Sequence, residues 1–306
     1  MTLDPTPLIS VVIPHRGDDQ PLAKCLLAIR AQTYPQLFRE VIIVLNEESE
    51  RPLDIILSAG ERVLWGPDYY SYSARNRGII SAKGEFIALT DSDTVPTTDW
   101  LEEGIRALKA GADIVAGHVE LTFSRYPLTP AACYEKLYAF DQEKNASLGR
   151  STTANMFTSK ALFSRMGLFS ETTLSGDDFR WTAEASDRGS VLRYAPLAKV
   201  HHPARESMGA ILAKAERVIV GLRKEPTLRG VLAQSAVGFW RTYVLPPSRA
   251  KKQQCSRREL VAAHLVGLVV QIVKAASMTR TLVHFRGGPK QGLSSTRERA
   301  LKWPRL

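Results

Sequence analysis

The run from Ser73 to Trp100 reads Ser-Ala-Arg-Asn-Arg-Gly-Ile-Ile-Ser-Ala-Lys-Gly-Glu-Phe-Ile-Ala-Leu-Thr-Asp-Ser-Asp-Thr-Val-Pro-Thr-Thr-Asp-Trp, and its centre is Asp91-Ser92-Asp93. Glu85 to Thr90 is short, mostly apolar and introduced by Lys83-Gly84, the pattern of a buried strand in a parallel sheet, and Pro96 stops the chain from continuing it. Two carboxylates therefore sit where a strand ends. In open α/β sheets ligands collect at the carboxyl ends of strands, and carboxylates one residue apart can share a hard cation that phosphate oxygens also hold. The same tripeptide also suits a helix cap or an Asx-turn, so the flanking sequence has to decide.

Upstream, Ile9 to Ile13 is an apolar, β-branched run ended by Pro14, and Leu22, Cys25, Leu26 and Ile29 then recur at helical spacing. A second strand is expected at Val41 to Leu45, a helix at Pro52 to Ser58, a short strand near Val63 to Trp65 and a helix from Tyr72 to Ala82. Downstream come a helix at Trp100 to Leu108, a strand at Ile114 to Ala116 and an aromatic-rich helix at Cys133 to Glu143. Strands alternating with helices predict an α/β fold with a mixed, mostly parallel sheet and helices on both faces. From Arg205 the strand signals vanish. The remainder reads as helices, at Val231 to Leu245 and Leu260 to Leu282, broken at Pro226 and Pro246-Pro247, so a domain over 1–222 is followed by a basic helical region over 223–306.

With 306 residues and 44% apolar side chains, the chain can bury a large core. Its net charge of +10 is unevenly placed: residues 1–204 carry 21 basic against 26 acidic side chains, a balance of −5, whereas 205–306 carry 20 against 5, a balance of +15. Such asymmetry points to an anionic partner for the tail. Cys25, Cys133 and Cys255 have neither disulfide-framework nor zinc spacing, which points to a reducing, cytoplasmic setting, and the segment around Asp4 and Pro5 lacks a signal-peptide pattern.

Four segments in order carry a resemblance: Ser10 to Pro14 with Leu26 to Pro35; Ala74-Arg75-Asn76-Arg77-Gly78 leading to Asp91-Ser92-Asp93; Thr153-Ala154-Asn155-Met156 with Gly167-Leu168-Phe169 and Gly176-Asp177-Asp178; and Tyr194-Ala195-Pro196 leading to His201-His202-Pro203. Over about residues 8–205 the chain resembles the family 2 glycosyltransferases, an inverting class with the Rossmann-like GT-A fold that uses nucleotide-sugar donors. The resemblance implies Mn2+ or Mg2+ held by Asp93 and His202 with help from Asp91, or His201 in place of its neighbour. It implies Asp178 as the general base, the second member of an acidic pair whose first, Asp177, stands where the family usually has Glu. Pro14, Arg16, Asn46, Arg75, Asp91 and Ser92 would face the nucleotide sugar; Asn155, Asp177 and Trp181 would face the acceptor, Trp181 as a stacking floor or simply as core. A guanidinium such as that of Arg75 suits phosphate oxygens because its planar fork of donors matches them.

The chain also departs from the family pattern. Leu45 occupies the place of the aspartate that usually reads the base, leaving Asn46 to bond it through an amide; Glu184 stands where an arginine is common, with Arg180 one turn earlier. The expected acceptor is a glycan or a lipid-linked sugar. Arg205, Lys214 and Arg217 follow the histidines closely enough to reach a diphosphate. The tail has no nucleic-acid motif and its basic residues do not alternate with stacking aromatics, which argues against nucleic acid. Leu260 to Val273, at 14 residues, reads as too short to span a bilayer but, with basic flanks, suits an anionic membrane surface on the cytoplasmic side; a helical bundle or a dimer contact would use the same residues. Two other functions compete: a nucleotidyltransferase, which would show a Gly-rich basic loop after the first strand where His15-Arg16-Gly17-Asp18 is sparse, and a catalytically silent binding subunit.

Overall fold

The computed structural model describes residues 6–66, 70–220 and 253–287. Eight strands form one sheet: β1 (Ile9–His15), β2 (Arg39–Asn46), β3 (Glu61–Gly66), β4 (Phe86–Thr90), β5 (Val95–Pro96), β6 (Ile114–Thr122), β7 (Asn155–Ser159) and β8 (Leu192–Pro203), in the order β3-β2-β1-β4-β7-β6-β8-β5. The first three pairings reproduce the expected parallel half: β2 lies parallel to both β3 and β1, and β1 to β4. The rest is mixed, because β7 runs antiparallel to both β4 and β6 while β8 runs parallel to β6 and antiparallel to β5.

Strand β1 can sit in the middle because both of its faces are apolar. Ile9, Val11 and Ile13 point into a core completed by α1 (Asp19–Arg30) and α3 (Trp100–Lys109), whereas Val12 joins Ile42, Val44 and Met156 under α2 (Ser71–Ser81), α6 (Lys160–Met166) and α7 (Asp177–Asp187). Helix α1 presents Leu22, Cys25, Leu26 and Ile29 to the sheet and is capped by Asp18, whose side chain accepts from the Gln20 N–H at 3.0 Å. Helix α2 lies unusually close to β1. A Cβ on Gly78 would come within 2.3 Å of Val12 Cγ1, so only glycine lets the helix seat there.

Two expected elements differ. Residues 52–58 are not helical, because side-chain carboxylates capture their amides: the Asp54 N–H donates to Asp19 Oδ2 at 2.8 Å and the Ser58 N–H to Glu61 Oε2 at 2.8 Å. The helix read over Cys133 to Glu143 is two, α4 (Pro130–Tyr138) and α5 (Gln142–Ser147), interrupted at Phe140 with φ +50. Strand β6 is longer than its apolar stretch suggests, since it continues past a bulge at Gly117/His118 alongside β8.

After β8 the chain forms α8 (Met208–Val220) and, further on, α9 (Arg257–Gly287). Ala131 of α4, Ile211 and Ala215 of α8, and Val266 and Val270 of α9 share one apolar cluster, and Cys133, Leu137 and Ala263 share a second. The bundle alternative of the sequence reading is thus realised on one face of α9. The expected helix at 231–245 and the boundary near residue 222 lie outside the described residues. Helix α9 also corrects the 14-residue apolar reading: Arg257–Thr279 is, by length and composition alone, long and apolar enough to cross a membrane.

Arg51 ties together the loops that follow β1 and β2. Its guanidinium donates to Asp19 at 2.7 and 2.9 Å, to Glu47 at 2.9 and 3.1 Å and to the Gly17 carbonyl at 2.6 Å. Those bonds hold the Asp19 carboxyl well below the usual carboxylate range and also lower that of Glu47. A carboxylate whose pKa is depressed on folding contributes stability above its unfolded pKa, about 4, and loses it as pH falls toward the folded value. Arg51→Met should therefore cost on the order of 1–2 kcal/mol at neutral pH. In denaturant melts from pH 7 to pH 3, the gap between the two proteins should stay level to about pH 5 and then close.

Candidate active site

The turn after β4 is built before any ligand arrives. Thr94 Oγ1 donates to the Asp91 carbonyl at 2.8 Å and lies 2.7 Å from Thr90 Oγ1, which donates to the Ala154 carbonyl at 3.0 Å. Strand β5 then pairs with β8, Val95 opposite His201 and Pro96 opposite Val200. This antiparallel step carries the end of β8 to the turn. Side chains alternate along β8, so His202 is buried and faces the turn, with Nε2 3.6 Å from Asp93 and 3.9 Å from Asp91, whereas His201 lies on the opposite side, 3.8 Å from Glu120. The choice between the two histidines is settled by strand parity.

Asp91, Asp93 and His202 offer three ligand atoms within 4.8 Å of one another. His202 Nδ1 lies 2.8 Å from the Pro203 carbonyl, an acceptor only, so Nδ1 donates there and Nε2 is the nitrogen that faces the aspartates. Two carboxylates and a neutral imidazole suit a divalent cation such as Mn2+ or Mg2+. Burial pushes the Asp93 carboxyl above the ordinary range; His202 opposes that shift and Asp91 adds to it. The cluster thus has negative charge that a cation would relieve. The Phe140 ring stacks against His202 at 4.7 Å between centroids, which explains why the helix read there breaks.

Helix α2 bonds Asp91 and Asp178 from residues one turn apart, and the space between these two carboxylates is here called the cleft. Arg75, 4% exposed, pairs with Asp91 Oδ1. Tyr72, 5% exposed, donates from its hydroxyl to Asp178 Oδ1 at 2.9 Å while the same oxygen accepts from the Gly176 and Asp177 N–H groups, each at 3.1 Å. The phenol therefore caps α7, whose first turn is otherwise entered through Gly176 at φ +84 with no side-chain cap of its own. Asp178 also accepts from the Thr153 N–H at 3.2 Å and the Phe179 N–H at 2.9 Å. Burial raises its pKa above the ordinary carboxylate range, with the Tyr72 hydrogen bond pulling the other way, yet the residue keeps partial solvent exposure at the floor of the cleft.

Its neighbour is built differently. Asp177 is 1% exposed, bonded by Arg180 at 2.7 and 3.0 Å and by the Ser170 N–H at 2.6 Å, so its oxygens organise the loop ahead of α7. Arg180 also bonds Glu184 at 2.9 Å and serves α7 itself. Two acceptor-side expectations are corrected. Asn155 is fully buried between β6, β8 and α3, donating to the His118 and Ala198 carbonyls at 2.8 and 2.9 Å and accepting from Trp100 Nε1 at 2.9 Å, which leaves its amide nothing for an acceptor. Trp181, 2% exposed, donates to the Gly167 carbonyl at 2.7 Å and packs on Phe163 and Phe169. It is core.

Of the residues expected to face a nucleotide, Pro14 is the last but one of β1, opposite Val44, Arg16 stands exposed in the following loop and Ser92 is half-buried between the aspartates. Among the described residues the buried side-chain atoms lacking a partner are His15 Nδ1, Asn46 Oδ1, Arg75 Nε and Thr152 Oγ1. The first two lie at the carboxyl ends of β1 and β2 and the third on α2, where a bound ligand would complete their bonding. Sequence reasoning missed Tyr72 and Glu135. Glu135, 1% exposed on α4, accepts from Arg205 at 3.1 Å and Lys214 at 3.2 Å, fixing two of the three downstream cations near the site. The third, Arg217, has its pKa lowered by burial and by Arg205 and raised by Asp91 and Tyr72, so its guanidinium sits in the field of the cleft while the residue keeps solvent contact. Tyr72 had one signal: it precedes Arg75 by a helical turn.

Tyr72→Phe removes the cap and the donor together. We expect a stability loss of about 1–3 kcal/mol in denaturant melts, the cost of buried N–H groups left unpaired. The Asp178 carboxyl should titrate at still higher pH by carboxylate NMR, because the bond that lowers its pKa is gone.

A family model described as glycosyl transferase family 2 matches residues 10–168. Glycosyltransferase AglE of Haloferax volcanii is 32% identical over 220 residues, covering 69% of this chain and 72% of that protein. Pre-mycofactocin glycosyltransferase of Mycobacterium tuberculosis is 27% identical over 221 residues, 67% of this chain but 45% of that longer protein. Among solved structures, the mannosyltransferase PcManGT from Pyrobaculum calidifontis, in complex with GDP-Man and Mn2+, superposes with a TM-score of 0.52 at 14% identity over 96% of this chain and 79% of that one, a likeness of fold.

Proposed function

The chain belongs to glycosyl transferase family 2, and from that premise we propose that it moves a sugar from a nucleotide-sugar donor to a hydroxyl of a glycan or lipid-linked acceptor, with inversion at the anomeric carbon. The observation that carries the reading is the pair of bonds from one turn of α2, Arg75 to Asp91 and Tyr72 to Asp178, which fixes the cation-binding wall against a carboxylate of raised pKa.

In this reading Asp91, Asp93 and His202 hold Mn2+ or Mg2+. When bound, the divalent cation supplies Lewis-acid relief of the negative charge that grows on the leaving nucleoside diphosphate. Arg75 keeps Asp91 oriented and presents its remaining Nε–H toward the donor. Asn46 Oδ1 accepts from an N–H on the nucleobase. Asp178 takes the proton from the acceptor hydroxyl as that oxygen bonds the anomeric carbon; the bond from that carbon to the diphosphate oxygen breaks, and its electron pair leaves with the diphosphate. A raised pKa suits a base that must accept a proton near neutral pH. Asp177, locked to Arg180, orients the turn and not the acceptor. The free thiols of Cys25, Cys133 and Cys255 favour a cytoplasmic location or the inner face of the plasma membrane.

The test is slow donor hydrolysis over a panel of UDP- and GDP-sugars with manganese, GDP-mannose included because the fold neighbour binds it. Nucleoside diphosphate should appear with one donor class. Chelator should abolish turnover and added Mn2+ or Mg2+ restore it; full activity in chelator removes the metal role. Asp93→Asn should weaken donor binding as well as turnover, since the cation meets the phosphates before the reaction. Asp178→Asn should leave metal-dependent donor binding intact and cut transfer by about 10²–10⁴-fold, the usual worth of a positioned base. A larger loss in Asp177→Asn than in Asp178→Asn would assign the base to the wrong neighbour.

A further inference from the structure

Helix α9 has two dissimilar long faces. Ala263, Val266 and Val270 are buried against α4 and α8, and Met278 meets Ile219. The covered side thus runs about 22 Å along the axis. Opposite it, Val261 (61% exposed), Leu265 (61%), Leu268 (41%), Val269 (40%) and Ile272 (59%) form an uncovered apolar stripe about 100° wide. Leu260, the first residue of the apolar run read from the sequence, packs instead beside Leu137 and Ala263.

We propose that this stripe docks onto the headgroup region of an anionic bilayer, with α9 lying in the membrane plane. The charge pattern selects the partner. Arg257 and Arg258 are exposed at the start of the helix, Glu259 is paired with Lys136 at 3.0 Å, and no acidic residue occurs from 260 to 297. An exposed apolar stripe entered through two exposed arginines, with no acidic side chain along it, matches anionic lipid. A span is disfavoured although the helix is long enough, because α4 and α8, which pack against it, carry Glu135, Lys136, Lys214 and Arg217 and would have to take those charges into hydrocarbon. Since α9 packs on α8, which carries Lys214 and Arg217, docking would set the cleft beside the membrane; that link to a lipid-borne acceptor rests on the glycosyltransferase reading, whereas the surface itself does not.

The experiment is co-sedimentation of the full chain with vesicles of phosphatidylglycerol and phosphatidylcholine in equal parts, and with phosphatidylcholine alone, at low and high salt. The protein should pellet with the anionic vesicles, more weakly at high salt because the Debye length shrinks, and hardly at all with neutral ones. Leu265→Glu/Ile272→Glu should lower binding at least tenfold while hydrolysing donor in solution at the unmodified rate, which shows that it is folded. Arg257→Glu/Arg258→Glu, with the apolar stripe untouched, should lower it chiefly at low salt. The proposal is overturned if the full chain ignores anionic vesicles, if the apolar variant pellets equally well, or if light scattering shows that variant turning a dimer into a monomer, which makes the stripe a contact between copies. Anionic-vesicle binding that behaves as expected while no donor is hydrolysed upholds this surface and places the failure in the donor chemistry.

Discussion

Arg75 and Tyr72 are three residues apart on α2, and their polar ends hold two carboxylates that come from different parts of the chain, Asp91 and Asp178. Everything else about the site depends on where that helix lies. Gly78 lets it close against Val12. Asn76 pins the next segment from both sides, donating to the Phe169 carbonyl at 2.8 Å and accepting from the Phe169 N–H at 3.0 Å. The helix is therefore fixed to the sheet below and to the loop before α7, and the separation of Asp91 from Asp178 is set by rigid backbone instead of by flexible side chains. Preorganisation of this kind spares the chain the ordering of charged groups at the moment of reaction.

How much of this could be read from the chain depends on the range of the interaction involved. Strands β1 and β4, helices α2 and α3, and the carboxylates at the end of β4 are local: a few consecutive apolar residues and a following proline determine them. The helix expected at residues 52–58 was lost because Asp19 and Glu61, distant in sequence, capture its amides. Which histidine meets Asp93 could not be read locally either, since the pairing of two-residue β5 with β8 sets the parity. Asn155 and Trp181 carried the right motif with another purpose, because polar atoms that look available in a sequence can be fully satisfied inside a sheet. Tyr72 was hidden among neighbouring tyrosines; only the fold shows that its oxygen serves a helix start roughly a hundred residues later.

The orphaned polar atoms form a second pattern. His15, Asn46 and Arg75 each keep a buried atom without a partner, at the ends of β1 and β2 and on α2, while the surrounding network of Arg51, Asp19 and Glu47 is saturated. Of the four unpaired atoms among the described residues, two therefore stand at the carboxyl ends of adjacent strands, where α/β sheets bind ligands. In the proposed reading, with Leu45 where a carboxylate is common, recognition of the base falls to the Asn46 amide, which discriminates by hydrogen-bond direction and not by charge.

Glu135 has a position that links two halves of the molecule. It is buried on α4 and grips Arg205 and Lys214, and Lys214 also lies 5.5 Å over the Phe140 ring that stacks on His202. Helix α8 thus touches α9 on one side and the surroundings of the His202 imidazole on the other. Linkage then sets a condition on the two proposals together: if a surface-bound α9 favours one placement of α8, donor binding changes the affinity for that surface by the same factor by which the surface changes affinity for the donor.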